Sequence, residues 1–159
     1  MFQVVIWATD GSEAADEALP FAKDLARGPG RTLVVLHNHE RLLGLRGSGD
    51  SFFVDAPERE AKIRRQVEEI RAEGIPATLR LSTGFAGRSA DAIAGAAREL
   101  GADVIVVGTR GRGPVASLLV GSVTQRLLHS APCPLLAVPR GAATHRRRRR
   151  ELERATAER

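Results

Sequence analysis

Val104-Ile105-Val106-Val107 is a run of four β-branched apolar residues with no polar residue alternating between them. Such a strand has no face suited to water, so both of its sides must be covered, as in a parallel sheet enclosed by helices. The rest of the chain supplies both components. Val4-Val5-Ile6-Trp7, Thr32–Leu36, Ala77–Leu81 and Leu135–Val138 are further strand-sized apolar runs. Between them lie stretches of helical period. After Ser12, an N-cap candidate, Ala15, Ala18, Leu19, Ala22, Leu25 and Ala26 form one stripe, which Pro20 should kink. Asp55 with Glu58 resembles a capping box for a helix to about Glu73, with Ile63, Val67 and Ile70 as its buried face. Ser89 is positioned to cap a helix bearing Ile93, Ala94, Ala97 and Leu100, and a short helix is expected from Ser122 to His129. Residues 40–54, with Gly44, Gly47 and Gly49 and no clear period, read as a loop.

The resulting order, β-α-β-α-β-α-β-α-β, requires parallel pairing through right-handed crossovers. The expected fold is therefore α/β: a doubly wound, three-layer α/β/α sandwich on a five-stranded parallel sheet. Ligands of such folds bind at the carboxyl ends of the strands, near the point where strand order reverses. The loops after the first, second and fourth strands are thus the place to look.

Two of those loops carry residues suited to phosphate. Gly108-Thr109-Arg110-Gly111-Arg112-Gly113 follows the fourth strand, and Gly121-Ser122 opens the next helix. Glycine lets backbone amides approach an anion, and a helix start offers free N–H groups and a favourable dipole. Ser122 adds a hydroxyl, and Arg110 and Arg112 add charge. After the first strand, Asp10 can accept a ribose hydroxyl or help hold a metal ion. Each feature has an ordinary reading as well: Asp-Gly is a common turn pair, Ser122 an N-cap, and loop arginines are usually solvated. Their convergence on one sheet edge is what favours a site.

With these residues in place, Gly108-x2-Gly111-x9-Gly121-Ser122 resembles the ATP-binding signature of the universal stress protein family at every required position. Val5-Ile6-Trp7-Ala8-Thr9-Asp10-Gly11-Ser12, Leu36-His37, Ala102–Gly108 and Ser130–Leu135 are similar to that family too, so the likeness covers about residues 2–140. The resemblance implies an adenine nucleotide alpha hydrolase-like fold binding ATP, or AMP or cAMP, with Mg²⁺ carried by the nucleotide near Asp10. It implies that Ala8, Thr9 and the backbone of Asn38 border the adenine end, with Gly87 near the ligand. Gly108, Arg110, Gly111, Arg112, Gly113, Gly121, Ser122 and Val123 would surround ribose and phosphates. It also implies a homodimer through the last strand, 135–138.

Catalytic signals are sparse. There is no Walker A, HExxH, paired-cysteine or Gly-x-Ser-x-Gly motif. His37 and His39 are expected on opposite faces of their strand, which argues against a joint metal site. Cys133, between two prolines at a core strand, reads as structural. A binding protein is expected rather than an enzyme, with slow ATP hydrolysis the alternative. A lone cysteine, no signal-peptide pattern and only strand-sized apolar runs point to the cytoplasm and away from the membrane.

Residues 1–140 are expected to form the domain and 141–159 a tail. The tail holds seven arginines and three glutamates, +4 of the chain's +5, so the basicity is not a property of the fold. Arg146–Arg150 are consecutive. They read either as a solvated segment or as an electrostatic arm giving weak nucleic-acid binding.

Overall fold

The computed structural model describes residues 2–43, 51–53, 57–85, 87–109 and 121–145. Strands β1 (Val4–Ala8), β2 (Thr32–Leu43), β4 (Ala77–Phe85), β5 (Val104–Gly108) and β6 (Leu135–Val138) form a parallel sheet in the order β4-β2-β1-β5-β6. From β1 the chain winds outward to β2 and β4, then crosses to β5 and β6 on the other side. The order reverses between β1 and β5, as expected of a doubly wound sheet.

Helices α1 (Glu13–Asp16), α2 (Leu19–Ala26) and α3 (Pro57–Ala72) cover one face; α4 (Ser89–Leu100) and α5 (Ser122–Ser130) cover the other. The period of two in each strand sorts the core into two layers. Val5, Trp7, Leu33, Val35, Val104 and Val106 pack with Ala22, Ile63, Val67 and Ile70 on the first face. Ile6, Ala8, Val34, Leu36, Ile105 and Val107 pack with Ile93, Ala94, Ala97 and Leu127 on the second. β5 is buried on both sides, and its unbroken apolar run follows from that.

Several expectations are corrected. The first helix is two pieces, because Pro20 sits in the first turn of α2 and has no N–H for a continuous ladder. Residues 40–54 are not simply a loop: β2 continues to Leu43, and β3 (Ser51–Phe53) pairs with its end antiparallel. Both β2 and β4 outrun their apolar runs because each satisfies the other's backbone, in register from Leu33↔Ala77 to Arg41↔Phe85. His37 and His39 lie on one face, two residues apart in a strand, with ring centroids 4.7 Å apart in an edge-on contact. Ser89 does not cap α4 but begins it; Arg88 occupies the cap position without a side-chain bond.

The first residues after 140 touch the fold. Ala142 packs against the first core layer, and the Ala143 N–H donates to Glu17 Oε2 at 3.2 Å. The Arg146–Arg150 run and Asp55 lie outside the described residues.

Candidate functional site

The carboxyl edge of β1 ends in a tightly bonded turn. Thr9 N–H donates to the Leu36 carbonyl at 2.9 Å, continuing the ladder one step beyond β1. Asp10 Oδ1 accepts from Ser12 N at 3.0 Å, and Gly11 N donates to Thr9 Oγ1 at 3.1 Å. Gly11 takes φ +73°, a left-handed conformation that glycine adopts without strain. Ser12 caps α1, accepting from Ala15 N at 3.2 Å. Asp10 is thereby held, half-buried, at the switch point.

α3 reinforces this turn from the first face. Lys62 Nζ donates to the Gly11 carbonyl at 2.9 Å and to Asp16 Oδ2 at 2.5 Å, while Gln66 Nε2 donates to Asp16 Oδ1 at 2.9 Å. The aliphatic stem of Arg59 lies against Gly11. None of these residues was expected from sequence to serve the site, because charged residues on an amphipathic helix ordinarily read as its solvent face.

The other side of the edge is built by α5. Gly121 is its N-cap and Ser122, exposed, its first helical residue, so the free N–H groups fall where the glycine-serine pair predicts. Gly121 N–H donates to the Thr109 carbonyl at 2.5 Å, which joins the helix start to the end of β5. Ser122 is thus not itself the cap. Val123 is half-buried and packs against the second core layer. Gly87 has φ +80°, and its carbonyl accepts from Arg126 of α5.

Gly108 has a reason of its own. A Cβ there would lie 2.3 Å from the Ala14 carbonyl oxygen, so the missing side chain makes room for α1. The close approach that this glycine permits is to the protein's own backbone. Arg110, Gly111, Arg112 and Gly113, expected near the phosphates, lie outside the described residues.

Ala8 and Asn38 both face the α4–α5 side and are buried. Asn38 belongs to a polar chain: Ser82 Oγ donates to Asn38 Oδ1 at 2.9 Å, and Asn38 Nδ2 donates to Ser89 Oγ at 3.1 Å. Ser89 Oγ in turn donates to Glu40 Oε1 at 2.6 Å. The signal for this chain was present in the sequence, since positions 38 and 40 share a face once the strand is known to continue. On the opposite face, His37 Nδ1 contacts the Thr9 carbonyl at 2.9 Å and His39 Nε2 pairs with Glu60 at 3.2 Å. The hydrogen bond from Arg64, above all, holds the Glu60 carboxyl below the usual carboxylate range, and the two nearby histidines act in the same direction.

Cys133 is half-buried against the second layer. Burial first, and the Asp103 charge second, push its thiol pKa up, so it stays protonated near neutrality. That is the opposite of what an activated nucleophile requires.

The comparisons with known proteins agree with this architecture. The universal stress protein family model matches residues 1–139. A universal stress protein of Thermus aquaticus is 39% identical over 143 residues, covering 87% of this chain and 99% of that one. A universal stress protein solved in complex with cAMP superposes with a TM-score of 0.63 at 26% identity, covering 86% of this chain and 96% of its own. An Arabidopsis thaliana member solved with AMP bound has a TM-score of 0.56 at 18% identity, covering 88% and 93%, a likeness of fold. With the family model matching nearly the whole chain and a relative 39% identical along almost its full length, the chain belongs to the universal stress protein family.

Proposed function

We propose that this protein binds an adenine nucleotide at the carboxyl edge between β1 and β5 and acts as a stress-response or signalling module. The observation that carries the reading is the bond from Gly121 N–H to the Thr109 carbonyl. It sets the N-terminus of a nine-residue helix, α5, at the end of the strand beside Asp10. A helix start there suits phosphate, and Asp10 suits ribose or a nucleotide-borne Mg²⁺. ATP is the default ligand, with AMP and cAMP as alternatives; the similar protein solved with cAMP supports the adenine class.

The protein is a binder in this reading rather than a dedicated catalyst. Phosphoryl transfer needs a group to position the nucleophile and further charge on the γ-phosphate. The described residues around Asp10 are committed to structural bonds: Lys62 to Gly11 and Asp16, Gln66 to Asp16. Slow ATP hydrolysis is the second reading. The single free cysteine fits a reducing cytoplasm.

Calorimetric titration of nucleotide-stripped protein with ATP, AMP and cAMP, with and without Mg²⁺, tests the proposal. Micromolar binding is expected, and Gly121→Val should abolish it by filling the phosphate space. No heat with any of the three would overturn it.

A further inference from the structure

The Ser82–Asn38–Ser89–Glu40 chain joins three elements, β4, β2 and α4, and has a direction that chemistry dictates. An ionised carboxylate can only accept, so the Ser89 hydroxyl must give its one hydrogen to Glu40. The Ser89 oxygen is then an acceptor, and the amide group that meets it must be the Asn38 NH₂. The Asn38 carbonyl is consequently turned toward Ser82, whose hydroxyl donates to it. Glu40 thus sets which way round the Asn38 amide lies. Asn38 is 7% exposed and Ser89 9%, so water does not compete freely for these bonds.

The amide is left with one N–H and one acceptor lone pair uncommitted to this chain, in fixed order along its edge. Asn38 stands two positions past Leu36, the last residue of β2 paired with β1, and therefore at the carboxyl edge where ligands of this topology bind. A purine presents its own donor–acceptor pair at positions 6 and 1. In a 6-aminopurine the exocyclic group donates and N1 accepts; in a 6-oxopurine both roles are reversed. An amide that cannot turn over can match only one of the two.

We propose that the Asn38 amide, fixed in one orientation by the Ser82–Asn38–Ser89–Glu40 chain, discriminates 6-aminopurine from 6-oxopurine bases at the nucleotide site. The proposal rests on the nucleotide-binding reading above and deepens it. Asn38 is the specificity-determining residue, and Glu40 is a positioning residue acting through Ser89. Gly84 of β4 contributes space: a Cβ there would come within 3.3 Å of Asn38 Oδ1.

ATP and ITP differ at positions 6 and 1 of the base and so probe the amide directly. Titrating both into the wild-type protein should show ATP bound at least about fivefold more tightly, the lower end of what a bidentate base contact discriminates. In Glu40→Gln the new carboxamide can donate as well as accept, so the chain can run either way and the ATP-to-ITP preference should fall to within about threefold. Ser89→Ala, which cuts Asn38 off from Glu40, should lower the preference in the same direction and serves if Glu40→Gln does not fold. A merely structural chain would lower thermal stability in these variants and leave the preference unchanged, which would overturn the proposal. Equal binding of ATP and ITP by the wild type would overturn it while leaving the nucleotide reading intact. Binding of neither would overturn both.

Discussion

Lys62 reaches across from α3 to donate to the carbonyl oxygen of Gly11 at 2.9 Å, so a helix on one face of the sheet holds the turn that presents Asp10. The same ammonium bonds the Asp16 carboxylate, whose other oxygen accepts from Gln66. Lys62→Met keeps the apolar stem and deletes the charge. Because Lys62 is one-third exposed, the expected loss of stability is modest, about 1 kcal/mol, and urea denaturation measures it. Nucleotide affinity should fall several-fold with it, since the Asp10 turn loses its brace; unchanged calorimetric affinity would show that the turn holds itself.

Gly108 and Gly87 should respond differently to alanine. At position 108 the new methyl meets the Ala14 carbonyl oxygen at 2.3 Å, and the backbone of α1 would have to move. About 3 kcal/mol of destabilisation is expected. At position 87 a Cβ has nothing within 4 Å, and only the left-handed φ of +80° opposes it, at about 1 kcal/mol. Chemical denaturation of both variants without nucleotide separates the two. Equal losses would mean that α1 yields easily.

Asp103 gives stability a pH dependence. Its carboxylate accepts from Val4 N at 2.8 Å and Gln3 N at 2.7 Å, and these backbone bonds lower its pKa. A carboxyl depressed in the folded state contributes fully above its unfolded pKa, near 4, and that contribution is lost as pH falls through the folded value. Asp103→Asn should therefore be less stable than the wild type at pH 7, with the gap narrowing toward pH 3. Denaturation midpoints at the two pH values check it; a gap that stays constant would place the effect elsewhere.

Among the described residues β6 is an edge of the sheet, and its polar groups divide by residue. Ile105 N donates to the Pro134 carbonyl and Thr109 N to the Val138 carbonyl, so even-numbered residues face β5. Leu135 and Ala137 present their N–H groups on the other side, the one a second copy would pair with. Ala137→Pro should leave the β5 ladder in place and block that pairing. Sedimentation velocity should show a dimer for the wild type and a monomer for the variant. A monomeric wild type would refute dimerisation by this edge.

The arginine run calls for a salt titration. The 159-residue chain should bind a generic duplex weakly at low salt and release it as salt rises, whereas residues 1–145 should not bind. The truncation is placed at 145 because Ala142 and Ala143 are anchored to the domain. Equal binding by both would make the tail a bystander.

The parts of this fold legible in the sequence were those whose chemistry is local. The unbroken Val104–Val107 run marked a strand buried on both faces, and Gly121-Ser122 marked the start of α5. What escaped depended on partners distant in sequence. β2 runs on through His37-Asn38-His39-Glu40, a stretch without an apolar pattern, because β4 supplies its hydrogen bonds. The same extension sets His37 and His39 side by side, where a period of two counted along the strand would have placed them. Ser89 has the composition of a cap, yet its hydroxyl is taken by Glu40, forty-nine residues away in the chain. Gly108 matched a ligand-binding pattern while its most immediate neighbour, the Ala14 carbonyl, could be known only from the packing of α1.

Beyond the last β1–β2 pair, Ala8↔Leu36, β2 and β4 remain in register for five more residues, to Arg41↔Phe85. The site is therefore walled on that side by a hydrogen-bonded ribbon and not by a loop. A wall of this kind keeps its shape when empty, so an arriving ligand has little disorder to remove and more of the contact energy survives as affinity.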